Sequence, residues 1–117
     1  WNEQISGDWG GQAMQDYLSA IDAMSKESYV DASRLGAVGA SFGGYSVYWL
    51  AGNHNKRFKA FISHCGVFNL EAMYGQTEEI FFTDFEMKGK PWDQPQPKSY
   101  ELFSPHKFAR QWDTPIL

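Results

Sequence analysis

Gly39-Ala40-Ser41-Phe42-Gly43-Gly44 sets a serine among glycines in a G-x-S-x-G-G run. Such a run suits a sharp strand-to-helix turn that pushes a serine hydroxyl into a cleft, where it can act as a nucleophile. Glycines flank the serine because so tight a turn brings backbone segments too close together for Cβ atoms. The flanking segments agree with that geometry. Residues 34–39 read as a short buried strand, and residues 45–51 read as a helix apolar on most sides, as expected of one buried against a sheet. The plainer reading of the same residues is a Gly-Ser turn joining two core elements.

A serine hydroxyl is a weak nucleophile until a base takes its proton and an acid orients that base. On such a turn the partners follow in the chain order Ser, then Asp or Glu, then His. The histidines are His54, His64 and His106. His54 falls in a polar turn just after the helix and reads as a surface residue. His64 ends the next strand ahead of any suitable acid and reads as a hydrogen-bonded structural histidine. His106 has the right order, with Asp84 or Asp93 between it and Ser41, but it sits in the first turn of a short helix where a loop is needed. The catalytic acid and base are therefore expected beyond Leu117, and residues 1–117 by themselves are expected to be inactive. The Phe42 N–H, at the positive end of the helix, is one oxyanion donor. A second is expected ahead of Trp1.

Stepping outward, Met14, Tyr17, Leu18, Ile21 and Met24 fall on the stripe of an amphipathic helix, and residues 25–33 are polar enough to be the connection out of it. Gly52-Asn53 can end the helix after Ser41 in a left-handed cap. Residues 58–63 read as a second buried strand, so strand, helix and strand form a parallel crossover. Residues 69–88 mix acids with large apolar groups and read as one or two short helices. Residues 89–97 hold Pro91, Pro95 and Pro97 and read as a loop. Ser104-Pro105 looks like an N-cap with proline at N1, and Thr114 to Leu117 resemble the start of another strand. This order argues for a doubly wound, mostly parallel α/β sheet.

Composition narrows the function classes. At 117 residues the chain is one domain or less, and 43 % hydrophobic with 17 % aromatic residues is ample for a core. A net charge of −4 without a basic run argues against nucleic acid as a partner. No apolar run reaches the roughly 18 residues of a membrane span. His54, His64 and Cys65 do not have zinc-ligand spacing, so no metal or other cofactor is expected. Cys65 reads as a buried apolar residue. Trp9, Trp49, Trp92 and Trp112 read as packing residues.

With these residues assembled, the chain resembles the catalytic domain of the prolyl oligopeptidase family, nearest to its bacterial dipeptidyl-peptidase and acylaminoacyl-peptidase branch. The residues that carry the resemblance are Gly39 to Tyr45, the Gly7-Asp8-Trp9-Gly10-Gly11 segment with Asp16 after it, Ser104-Pro105, and Thr114 to Leu117. It implies a partial α/β-hydrolase fold over residues 1–117, with a β-propeller and the C-terminal part of the catalytic domain outside them. It further implies a serine exopeptidase that releases dipeptides or blocked residues from peptide N-termini through an acyl-enzyme on Ser41. Short peptides would be its substrates and the periplasm or exterior its location, with the cytoplasm as the alternative; the oligomeric state is left open, a homodimer being one form. In the family, the segment after the second strand lines the pocket for the residue before the scissile bond. Phe42, Val67, Leu70 and Met73 are the corresponding residues, and ordinary core packing is the other reading of each. Other α/β hydrolases, such as an esterase or thioesterase, share the elbow chemistry, and a catalytically silent interaction module is a third class.

Overall fold

The computed structural model describes residues 2–117. A short helix α1 (Asn2–Ile5) leads into α2 (Gln12–Met24), followed by strand β1 (Gly36–Ala40), helix α3 (Phe42–Asn53) and strand β2 (Ala60–His64). Three short helices follow, α4 (Leu70–Gln76), α5 (Ile80–Met87) and α6 (Lys98–Leu102), then a 3-10 helix at Pro105–Gln111.

β1 and β2 pair in parallel, with Gly36 opposite Ala60 and Ala40 opposite His64. A parallel pair needs a crossover, and α3 supplies it. On the far side of β2, Ile116 bridges Phe61 in parallel. There Phe61 N–H donates to the Pro115 carbonyl at 2.9 Å and Leu117 N–H to the Phe61 carbonyl at 3.0 Å. The last residues thus begin the strand their sequence suggests.

α3 is buried nearly all round. Tyr45, Val47, Trp49, Leu50 and Ala51 join Trp9, Met14, Phe58, Phe61, Leu70, Met87 and Tyr100 in the core. α2 begins where Asp8 Oδ2 accepts the Gln12 N–H, and it buries Met14 while leaving Tyr17 and Met24 exposed at the margins of its stripe. Burial pushes the Tyr45 hydroxyl far above its ordinary pKa, and it donates to the Phe103 carbonyl at 2.8 Å.

Several expectations need correction. β1 is not buried, because Gly36, Val38 and Ala40 point to a face that no other described element covers, leaving Val38 75 % exposed. α3 runs on through Gly52 and Asn53, and the left-handed residues are Asn55 and Lys56 (φ 49° and 63°). Gly52 serves the 3-10 helix instead, since a Cβ there would lie 2.5 Å from Phe108 Cβ. α6, after the proline-rich loop, has no counterpart in the sequence reading. Trp92 is 65 % exposed and sets its ring edge-on to the buried Tyr74.

Candidate active site

Ser41 ends the strand and begins the helix in a single residue. Its φ of 56° and ψ of −118° lie where L-residues are strained. Two backbone bonds hold it there: its N–H donates to the His64 carbonyl, and its own carbonyl accepts the Tyr45 N–H, both at 3.0 Å. The side chain is exposed. The glycines around it answer to close approach. A Cβ on Gly39 would lie 2.3 Å from the Gly43 oxygen, and one on Gly44 would lie 2.6 Å from Gly66 Cα. Gly43 differs, with nothing within 4 Å of an added Cβ.

Phe42 opens α3, so its N–H has no intrahelical carbonyl to take it. That donor, beside the Ser41 hydroxyl and at the positive end of a 12-residue helix, can receive negative charge developing on a substrate oxygen. The Phe42 ring turns away from the cleft and packs edge-on against Trp9 at 5.2 Å, with Tyr45 at 5.6 Å. Trp9 in turn donates to Glu86 Oε2 at 2.9 Å and meets the Phe82 ring at 6.1 Å. This aromatic stack ties the serine turn to α5.

An open cleft of about 480 Å³ lies beyond the exit of β2, lined by Gly66, Val67, Phe68, Asn69, Ala72, Met73, Gln76 and Thr77. Val67 and Met73 are therefore wall residues. Leu70 lies beneath them, fully buried. Asn69 Oδ1 accepts the Glu71 and Ala72 N–H groups and so fixes the start of α4, a cap legible in the Asn69-Leu70-Glu71 spacing but missed. Glu71 is exposed and is not among the cleft residues.

Among the described residues, no histidine side chain bonds Ser41. His54 is 2 % exposed rather than on the surface. Its ring packs against Phe58 and Phe61, Nδ1 accepts the Phe58 N–H at 3.1 Å, and Nε2 faces Asp113 and Thr114 at 3.4 and 3.3 Å. Burial holds this imidazole below its ordinary pKa, against the opposing pull of Asp113. His64 is exposed, and its backbone carbonyl rather than its ring serves the serine turn. His106 Nδ1 lies 2.9 Å from Ser104 Oγ. Cys65 is exposed with φ 49°, not buried, because the chain turns sharply off β2 just as it does off β1. Among the described residues no three His, Cys, Asp or Glu side chains are placed to hold a metal ion, and no helix is long and apolar enough to cross a membrane.

The model of the prolyl oligopeptidase family matches residues 1–117, the whole chain. The chain belongs to that family. Dipeptidyl-peptidase 5 of Porphyromonas gingivalis is 58 % identical over 119 residues, an alignment covering 100 % of this chain and 17 % of that protein. The chain thus spans about one sixth of the length of this relative. The Pyrococcus horikoshii acylaminoacyl peptidase superposes with a TM-score of 0.87 at 24 % identity, over 97 % of this chain and 18 % of its own. An acylaminoacyl peptidase solved in complex with Z-Gly-Gly-Phe-chloromethyl ketone superposes with a TM-score of 0.84 at 26 % identity, again over 97 % and 18 %. The fold is the α/β-hydrolase fold of the prolyl oligopeptidase family, and the crossover described above carries its serine turn.

Proposed function

We propose that the intact protein is a serine exopeptidase that releases dipeptides or blocked residues from peptide N-termini through an acyl-enzyme on Ser41. The observation that carries this reading is the strained pose of Ser41, exposed at the N-terminus of a buried helix. In the acylation step Ser41 Oγ attacks the scissile carbonyl carbon while a histidine outside this chain takes its proton. The carbonyl oxygen becomes an oxyanion and is met by the Phe42 N–H. Collapse breaks the C–N bond, the leaving amine takes the proton from the imidazolium, and water later releases the acyl group by the same route. His54, His64 and His106 do not serve as the base, because His54 is locked in the core, His106 is engaged by Ser104, and the His64 ring makes no bond to Ser41.

The substrate class is supported by the relatives' names and by the cleft. The relative 58 % identical is a dipeptidyl-peptidase, which favours dipeptide release over removal of a blocked residue. The apolar walls Val67 and Met73, with Leu70 under them, suit a medium-sized apolar residue before the cleaved bond. A fluorophosphonate probe is expected to label the intact protein, and Ser41→Ala to abolish the labelling. Undiminished labelling of the alanine variant would sink the assignment.

A further inference from the structure

Ser104 is fully buried, and its hydroxyl joins two segments distant in sequence. Its Oγ accepts the Leu70 N–H at 2.9 Å and lies 2.9 Å from His106 Nδ1. A hydroxyl has one proton to give. Given to Nδ1, that proton satisfies every group; left over, it would be a buried donor without an acceptor. Ser104 therefore donates to Nδ1, and His106 keeps its own proton on Nε2. The backbone closes the same clasp, with the His106 N–H donating to the Phe68 carbonyl at 3.0 Å and the two rings meeting at 6.1 Å. Residues 104–106 hold residues 68–70.

The clasp bears on the cleft because the two walls are anchored separately. One wall, Gly66 and Val67, is pinned to the serine turn by the close approach of Gly66 to Gly44. The other wall, with Met73, rides on α4, whose first N–H is an orphan donor satisfied, among the described residues, by Ser104. We propose that Ser104 and His106 are positioning residues that set the distance between these walls, and so select the substrate side chain without touching it. The selectivity part rests on the peptidase reading above.

The test compares Ser104→Ala, His106→Leu and His106→Asn in the intact protein. Asn can place Oδ1 where Nδ1 accepts, whereas Leu cannot accept at all. Amide exchange at Leu70 and its neighbours in α4 should quicken about tenfold in Ser104→Ala and His106→Leu and stay slow in His106→Asn. On dipeptide substrates with Ala, Met or Phe before the scissile bond, the first two variants should lose about tenfold of the size discrimination, through KM. His106→Asn should restore it, and fluorophosphonate labelling, which needs no side chain in the cleft, should be retained in all three. Should Ser104→Ala fail to fold, His106→Leu against His106→Asn still decides. Discrimination unchanged in His106→Leu overturns the proposal, as does a loss of labelling in step with every substrate, or His106→Asn behaving like His106→Leu. A parent protein that no fluorophosphonate labels would defeat the peptidase reading instead. Amide exchange would then still decide whether the clasp holds the wall, and unchanged exchange would refute it.

Discussion

Burial keeps the His54 imidazole neutral in the folded chain, and the Phe58 N–H donating to Nδ1 holds one tautomer in place. The charged neighbours are divided, with Asp113 favouring protonation and Arg57 and Lys59 opposing it. Because the folded pKa lies below the ordinary 6.5, the unfolded chain binds more protons between the two values. The contribution is therefore complete above about pH 6.5 and is lost as the pH falls through the folded pKa. Thermal denaturation of the intact protein should show stability falling on that acid side. His54→Leu should flatten this slope while costing about 1–3 kcal/mol at neutral pH for the orphaned Phe58 N–H. A slope unchanged in the variant would assign the acid sensitivity elsewhere. Sequence misplaced this residue for a physical reason. Its polar neighbours Asn53, Asn55 and Lys56 signal a surface turn, and only the turn's geometry sends the ring inward. The pocket residues divide on similar grounds. Met73→Ala enlarges a wall and should shift preference between large and small apolar residues by about 10- to 200-fold in kcat/KM on a matched dipeptide series. Leu70→Ala, under the wall, should instead cost about 2–5 kcal/mol of stability. Equal selectivity changes in both variants would contradict that division.

The elements around Ser41 were legible because two independent signals coincide there, a glycine spacing and an apolar run long enough for a buried helix. The strand limits were less so. Both strands begin two residues later than the segments read for them, residues 34–39 and 58–63, and just ahead of them Lys59 N–H donates to the Leu35 carbonyl. Openness was illegible, because Gly36-Ala37-Val38-Gly39-Ala40 offers no polar alternation to mark a bare face. The serine turn yields a contrast between neighbouring glycines. Gly44→Ala would press a Cβ to 2.6 Å from Gly66 Cα and 2.8 Å from the His64 oxygen, backbone atoms that shift only if β2 shifts. Overpacking of that kind costs about 1–3 kcal/mol or more, and labelling of Ser41 should fall with it. Gly43→Ala meets no atom and should be neutral or stabilising by about 0.4–1 kcal/mol. Melting temperatures of the two variants check the pair, and equal destabilisation would mean the backbone approach at Gly44 is misjudged.

At the scale of the molecule, the accessible surface is 7442 Å², against about 6,500 Å² for a compact folded chain of this size. The radius of gyration, 14.9 Å, likewise exceeds the roughly 13.4 Å of a compact domain. Part of the surplus is apolar: Val38, Ile62 and Leu117 are 75, 47 and 86 % exposed, and Phe81 on α5 is 83 % exposed. Apolar area of that kind binds hydrophobic dyes and drives association. Residues 1–117 prepared alone should enhance anilinonaphthalene sulfonate fluorescence and self-associate in sedimentation, both less so in Val38→Lys. They should also hydrolyse an activated ester no faster than their Ser41→Ala variant, because none of the three histidines bonds the serine. Ser41-dependent turnover would show that one of those histidines reaches it.

The Ser41 amide finds its acceptor, the His64 carbonyl, well downstream in the chain. A ribosome delivers residues in order, so the serine emerges before anything exists to brace it. Until β2 arrives, a φ of 56° costs about 1–3 kcal/mol without the His64 bond to hold it, and the nascent chain is expected to favour an ordinary backbone. A half-made chain thus carries an unremarkable serine. Completion of the crossover sets the strained pose, so the exposed serine of this turn cannot appear ahead of the fold that holds it.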